Sequence, residues 1–554
     1  MDSLGEETWD AVICGTGLQQ SLLALALSRS NKRVLHLDPN DYYGEHEAAF
    51  SLQEAETWAA AHAENATAVA PAAGHGGLDS GNAAEEPKAS STGSEGEGTS
   101  HGEKPLGSEK TTADKSSLFI NASVWKHPDA AARGLSFPRA YSLPLAPQII
   151  HTRSKLLAQL VSSRAYRQVE FLAVGSFFVY DASASDSQAK LSRIPSSRED
   201  VFATRSIPAR SKRSLIKFLK FVLDYDSEEQ RPVWHELAEE RLAEFLDTEF
   251  KLDANLRKYV LALTLTLDGH VTVKDGLATI NRHLTSMGLF GPGFCAVYPK
   301  WGGTSEVAQV ACRAGAVGGG IYMLDTRMNV NDTIADVNEI SLNLSNGISV
   351  RATNLVTSQQ EAAADSTTIT RLVAVVDSPL PSLFEIIVEG APTPAVAVIA
   401  FPSGSLPGIV EFNLDVPIYA FVHSSETGEC PAGQSAIYLT TLSTPQATQR
   451  LAAALDALLK AVAAGSAEPA TCLYKLQYEQ SLSTRESLRT TRGKSSTFKF
   501  PSPSLSLALD DTGLDAVKDA WSLIMGDDAD SDDTEYMVFQ DREGVGDDND
   551  DVYD

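Results

Sequence analysis

The sequence predicts an α/β (α+β) molecule, a FAD/NAD-binding-like mixed-sheet composite domain with a smaller α-helical domain inserted in it. Three observations predict this. A βαβ unit with a glycine turn opens the chain, a block of helical periodicity fills its middle, and short β-branched strands separated by turns occupy most of the remainder. The chain has 554 residues, 43% hydrophobic and 21% charged, so it has ample material for a buried core.

Trp9 to Cys14 reads as a buried strand, Gly15-Thr16-Gly17 as a tight turn, Leu18 to Arg29 as a helix, and Arg33 to Leu37 as a second strand ending in Asp38. In a dinucleotide-binding unit such glycines bring helix-terminal N–H groups towards a pyrophosphate, and a carboxylate about 20 residues on meets a ribose. Gly15, Gly17 and Asp38 fit that pattern. Gln20 breaks it, because the third glycine position needs a missing side chain for helix and strand to pack closely. Near the other end, Leu505 to Leu509, Asp510-Asp511-Thr512-Gly513 and a helix to Met525 read as a closing strand, turn and helix without the Gly-Asp pair of a flavoprotein. The expectation is a vestigial, structural dinucleotide turn with no cofactor. A flavin- or NAD-dependent oxidoreductase is the alternative from another class.

Residues 59–116 are rich in Ala, Gly, Ser and Glu, with Val69, Leu78 and Leu106 as the only large apolar residues, so this insertion is expected to be disordered. Residues 526–554 read the same way. From Asp527 onward there are thirteen acidic residues and one arginine, around an apolar island, Tyr536 to Phe539, that could dock on a partner. Between them, Ser211–Tyr225, Trp234–Phe250, Ala254–Leu267 and Lys274–Met287 have helical periodicity, and the first is apolar around most of its circumference. This places a helical domain at 198–290, within a composite domain made of 1–58, 117–197 and 291–525. Strands are expected at Ile321–Leu324, Ile340–Leu344, Ile348–Thr353, Leu372–Val376, Val396–Phe401, Ile418–Val422, Ala436–Leu442 and Leu473–Glu479, in one sheet with the first βαβ unit, and a helix at Pro445–Ala464.

The net charge of −28 disfavours nucleic acid. No run of about 18 apolar residues occurs, and Asp2, Glu6 and Glu7 precede Trp9, so a cytoplasmic chain without membrane span or signal peptide is expected. Five scattered cysteines fit a reducing compartment, and eleven scattered histidines without HExxH spacing give no metal site. GxSxG and GxxxxGK[ST] are absent, which removes motif support for hydrolase or NTPase chemistry.

Three blocks carry a more specific signal. The first is Gly15-Thr16-Gly17-Leu18, then Lys32 to Asp38, then Asp41-Tyr42-Tyr43-Gly44. The second is Ser154-Lys155-Leu156-Leu157, Ser163 to Tyr166, Glu170-Phe171 and Gly175 to Phe177. The third is Tyr298 to Gly302 through Glu306, Gln309 and Arg313 to Gly319–Leu324. In this order they resemble the Rab GDP dissociation inhibitor and Rab escort protein superfamily, in which a polar residue replaces the third glycine and Tyr-Tyr-Gly follows the second strand. Ser305 departs from the family's glycine before the glutamate.

The resemblance implies a non-catalytic protein. Its composite domain would bind GDP-form Rab GTPases through Tyr43, Glu306 and Arg313. Its helical domain would shelter the geranylgeranyl lipid, with Phe218, Leu219, Val222, Leu261 and Leu265 as candidate wall residues. Long insertions favour the escort branch, which presents new Rabs to the Rab geranylgeranyltransferase heterodimer and carries the product to membranes in transient contact. The alternative branch recycles prenylated Rabs.

Overall fold

The computed structural model describes residues 2–5, 7–63, 118–182, 190–195, 201, 208–330, 338–358, 366–406, 416–463, 469–482, 488–530 and 535–539. The 59–116 insertion beyond residue 63 and most of the acidic tail lie outside these residues.

Two main sheets form instead of the single sheet expected. The first runs β10 (Ile321–Met323), β2 (Val34–Leu37), β1 (Thr8–Cys14), β13 (Ser349–Thr357), β12 (Ile340–Leu344), β11 (Met328–Val330), with β20 (Ser495–Lys499) joined to the far end of β13 and β19 (Leu488–Arg492) beyond it. Strands β10, β2, β1, β13 and β20 are parallel, as a βαβ start requires. Their two covered faces explain why the apolar runs here are nearly continuous. Helices α1 (Leu18–Arg29), α3 (Lys155–Ser162), α8 (Thr304–Val317) and α10 (Thr512–Met525) share one core with Ala11, Ile13 and Val34. Trp9, Val12, Leu35 and Leu37 face another.

The second sheet runs β4 (Phe119–Lys126), β18 (Cys472–Leu482), β14 (Thr367–Val376), β17 (Ser435–Leu442), β16 (Ile418–Ser424), β15 (Val396–Phe401), β7 (Phe171–Asp181), β9 (Ala296–Pro299), β6 (Ile150–His151), with β8 (Lys190–Arg193) on β7. A ribbon of β3 (Ala49–Phe50) and β5 (Leu143–Pro144) stands apart. The strands expected between 372 and 479 therefore split from the first βαβ unit. Periodicity reports which side of a strand is buried, not which strand lies beside it. Alternation fixes the faces: Val373, Val375, Val398 and Phe421 meet the helical insert, whereas Leu372, Ala374, Ile399 and Leu439 meet α9 (Ala447–Ala463).

The insert contains α4 (Ala209–Leu223), α5 (Leu242–Thr248), α6 (Ala254–Ala262) and α7 (Val273–Ser286), and α2 (Leu52–Ala61) precedes β4. Helix α4 buries one face only, through Leu215, Phe218, Phe221 and Val222, while Leu223 is 54% exposed. The expected helix at Trp234–Phe250 breaks into short turns before α5. Helix α6 stops at Ala262 because Leu265 turns left-handed (φ 51°) and its carbonyl accepts from Leu507 N–H. That pairing also explains why 505–509 is an extended segment with isolated bridges and not a sheet strand.

Two boundaries move. Helix α2 continues through Ala61, with Ala59 buried, so the first ordered segment outruns residue 58. The tail expected to be disordered from 526 contains a helical turn at Gly526–Asp530, and residues 535–539 pack on the protein's own surface. Met537 is 1% exposed, Tyr536 meets Trp521 at 5.3 Å, and the Arg29 guanidinium lies 5.1 Å from the Phe539 ring. No disulfide joins any of the five cysteines. Among the described residues, no helix is long and apolar enough to cross a membrane.

Candidate functional site

The glycine turn is built as a dinucleotide cradle and is filled by the chain itself. Gly15 sits at φ 102°, and its N–H reaches Leu37 O at 2.7 Å, closing the turn onto β2. The Leu18 N–H at the start of α1, where a pyrophosphate would be met, donates instead to Glu47 Oε2 at 2.8 Å. Glu45 lies beside it: a Cβ on Gly15 would run into its carboxylate, Ser358 Oγ donates to Oε1 at 2.8 Å, and Gln20 Nε2 lies 3.5 Å from Oε2. The helix N-terminus thus has its counter-anion already. Asp38 is likewise spent within the protein. It is fully buried, its Oδ2 accepts from Thr16 N and Oγ1 at 2.7 and 2.6 Å, and its Oδ1 accepts from Asn40 N and Nδ2 at 2.8 and 3.0 Å.

Crowding of acids in this pocket has an electrostatic consequence. Burial, then the neighbouring Asp38 charge, pushes the Glu45 carboxyl up to about 8. Burial also raises Asp38 against the lowering effect of its Thr16 and Asn40 hydrogen bonds. For His46 burial acts downward, but Glu47, 3.4 Å away, makes the net shift upward. At the start of α3, Asp511 accepts from Ser154 Oγ (2.7 Å) and Lys155 N (3.1 Å), and it pairs with Arg282 at 3.1 Å.

The three sequence blocks converge next to this turn. Gly44, at φ 98°, brings the Tyr42-Tyr43 loop so close to α8 that a Cβ there would stand 3.1 Å from Ser305 Oγ. Ser305, where a glycine was expected, is buried in that contact. Tyr43 is half-buried, its hydroxyl pushed up by burial and then by Cys312 and Asp38. Glu306 and Arg313 both rise from α8. Glu306 is half-buried and raised by burial, with Arg313 acting in the opposite direction, while Arg313 is exposed and donates to Gln168 Oε1 at 3.4 Å. Arg313 thereby ties the third block to the second.

A residue not singled out from the sequence stands at the edge of this face. Trp301 is 53% exposed and left-handed (φ 73°), rare for a bulky residue. Its N–H donates to Thr427 O and its carbonyl accepts from Ser142 Oγ, both at 2.8 Å. Behind it, the buried Glu429 accepts from Tyr298 and Tyr438 hydroxyls at 2.7 Å and meets His423 Nδ1 at 2.6 Å. This network makes the support rigid.

The candidate lipid-wall residues scatter. Phe218, Val222 and Leu265 are closed into the core, and Leu219 packs against it. Of the five, Leu261 lines a cavity of about 350 Å³, between α5, α6 and the edge of β15 and β16, where Val271, Ala400 and Tyr419 also face it and Arg257 and Lys258 sit among its polar lining.

The sequence pattern of the family described as GDP dissociation inhibitor matches residues 5–68 and 104–462. The chain belongs to the GDP dissociation inhibitor family. The matched stretches contain every block that meets around Tyr43 and α8. Among relatives, the Rab proteins geranylgeranyltransferase component A of Saccharomyces cerevisiae is 28% identical over 455 residues, covering 81% of this chain and 64% of the relative. The protein of the same name from Drosophila melanogaster is 29% identical over 357 residues, covering 64% and 60%. The chain therefore spans less than two thirds of the length of these two relatives. A crystal structure of a Rab GDI from Plasmodium falciparum superposes with a TM-score of 0.60 at 16% identity, covering 94% of this chain and 98% of that one, and this shows the shared fold.

Within this member of the GDP dissociation inhibitor family, Glu45 and Glu47 escaped the sequence reading, and Trp301 was read only as part of the third block, without a role of its own. A pair of acids just after Tyr-Tyr-Gly could have been recognised as a built-in anion for the helix terminus. Nothing local marks Trp301, because its backbone strain depends on Thr427 and Ser142, more than a hundred residues away on either side.

Proposed function

We propose that this chain is a Rab escort component. It binds newly made GDP-form Rab GTPases, presents their C-terminal cysteines to the Rab geranylgeranyltransferase heterodimer, and carries the prenylated product to membranes while itself catalysing nothing. The observation that carries the reading is the face formed by the Tyr43 loop, the 163–168 segment and α8, beside a nucleotide cradle occupied by Glu45 and Glu47. Half-buried and exposed Tyr, Arg and Trp groups on a rigid support are the composition of an interface anchor. The names of the relatives point the same way.

The lipid step has a physical requirement. Each buried CH₂ is worth about 0.8 kcal/mol, so a twenty-carbon isoprenoid carries on the order of 10 kcal/mol of drive out of water. The cavity lined by Leu261, Val271, Ala400 and Tyr419 is our candidate for its entry. Phe218 and Val222 would join the wall only if α4 separated from its neighbours.

The deciding experiment is reconstitution with unmodified Rab, the transferase and geranylgeranyl diphosphate. Prenylation dependent on this chain is expected. Extraction of prenylated Rab from membranes without support of prenylation would assign the chain to recycling instead, and the absence of both activities would refute Rab handling.

A further inference from the structure

We propose that His151, His283 and Cys295 form a buried site for a four-coordinate transition-metal ion, zinc being the ion its donors fit. It ties the helical insert to the second sheet. His283 and Cys295 are twelve residues apart and His151 lies more than a hundred residues before them, so no familiar ligand spacing marks the set. Pairing of β6 with β9 sets His151 opposite Ala296, one residue from Cys295, and α7 delivers His283 from the insert. One donor atom from each lies within 4.8 Å of the other two.

The donors are close enough to share an ion once the His283 ring turns. Cys295 Sγ is 3.6 Å from His283 Nδ1 and 3.7 Å from Nε2, so it lies between the two nitrogens, and rotation of the ring is needed to aim one of them at an ion shared with the sulfur. A tetrahedral zinc ion with Zn–S of about 2.3 Å and Zn–N of about 2.05 Å holds its sulfur and nitrogen ligands about 3.6 Å apart. A thiol hydrogen bond could account for that pair alone, but not for His151. It is 1% exposed, and neither of its ring nitrogens has a hydrogen-bond partner. Leaving such groups unpaired in the interior is costly, and a metal ligates one of them.

The nearby Arg282 guanidinium, whose charge acts on His151, is held by Asp511 (3.1 Å) and the Leu509 carbonyl (3.0 Å). A cavity of about 30 Å³ lined by Phe177, His283 and Met287 adjoins His283 and has room for one water. Two histidines and a thiolate suit zinc better than calcium or magnesium, which take oxygen ligands.

The site does not depend on the Rab reading, and its test uses the full chain alone. After removal of metal with a chelator, zinc titration monitored by calorimetry should show uptake of one equivalent and a raised melting temperature. Cobalt substitution should give a thiolate-to-metal charge-transfer band and the intense visible bands of four-coordinate cobalt. Cys295→Ser and His283→Gln, checked for folding by circular dichroism, should abolish both uptake and bands. The proposal is overturned if the wild-type chain shows no thiolate–cobalt band, or if both folded variants keep stoichiometric uptake. Should the variants not fold, the wild-type cobalt spectrum decides alone.

Discussion

At the scale of single residues, the carboxylates decide what this turn can hold. Glu45 titrates upward, from the ordinary 4.5 to about 8, because burial and Asp38 disfavour its charge. Between those pH values the unfolded chain has lost the proton that the folded chain keeps, so stability falls as pH rises, by at most about 1.4 kcal/mol per pH unit. Glu45→Gln removes the titration and keeps an acceptor for Ser358. Its melting temperature should exceed wild type by more at pH 8 than at pH 5, and equal differences at both would show the carboxyl to be unperturbed. On the neighbouring face, Tyr43→Ala and Arg313→Ala should each weaken binding of unprenylated GDP-form Rab by about 1–4 kcal/mol, as expected for truncated anchors. Calorimetry beside a denaturation curve checks this, since a purely structural role would lower the melting temperature and leave affinity intact.

Among the elements, the tail segment 535–539 holds an apolar island legible in the sequence whose docking surface is supplied by the chain itself. Its apolar island packs on α1, α3 and α10: Trp521 meets Tyr536, Phe539 N–H reaches Ser162 O at 3.4 Å, and Lys32 pairs with Asp528 at 2.8 Å in the turn that precedes it. Met537→Ala should cost about 2 kcal/mol, less than a fixed core site can lose, because the segment can detach without unfolding the rest. Hydrogen exchange should then speed up in α10 and the C-terminal half of α1, and unchanged protection there would show the docking to be energetically idle.

For the molecule as a whole, α2 and β4 close the gap across the insertion. Ala122 N–H donates to His62 O at 3.0 Å, so the two ends of the segment 64–117 meet at a backbone hydrogen bond. Closure entropy changes slowly with loop length, by about 0.6 kcal/mol per doubling. Replacing 64–117 with a Gly/Ser linker of about eight residues should therefore shift stability by under about 2 kcal/mol and leave Rab affinity unchanged. A melting temperature lower by many degrees, or lost Rab binding, would give the insertion a role its composition does not suggest. The helical insert is coupled more tightly: Phe218, Leu242 and Leu246 share one core with Val398, Tyr419 and Phe421 of the second sheet, so it is not an independent folding unit.

By itself, the sequence determined the opening elements and the family. The helix Leu18–Arg29, the strands around it and the polar residue at position 20 are local consequences of periodicity and turn chemistry, and three ordered blocks carry the resemblance. Tertiary structure alone decided that the strands divide into two sheets, that α4 is apolar on one buried face, and that Glu47 reaches the α1 terminus 29 residues away. It also brought His151, His283 and Cys295 into one cluster. The physical reason is the same in each case. Side-chain spacing along a chain reports which faces want burial, but the partner that supplies it is selected by packing and electrostatics between segments the chain order keeps apart.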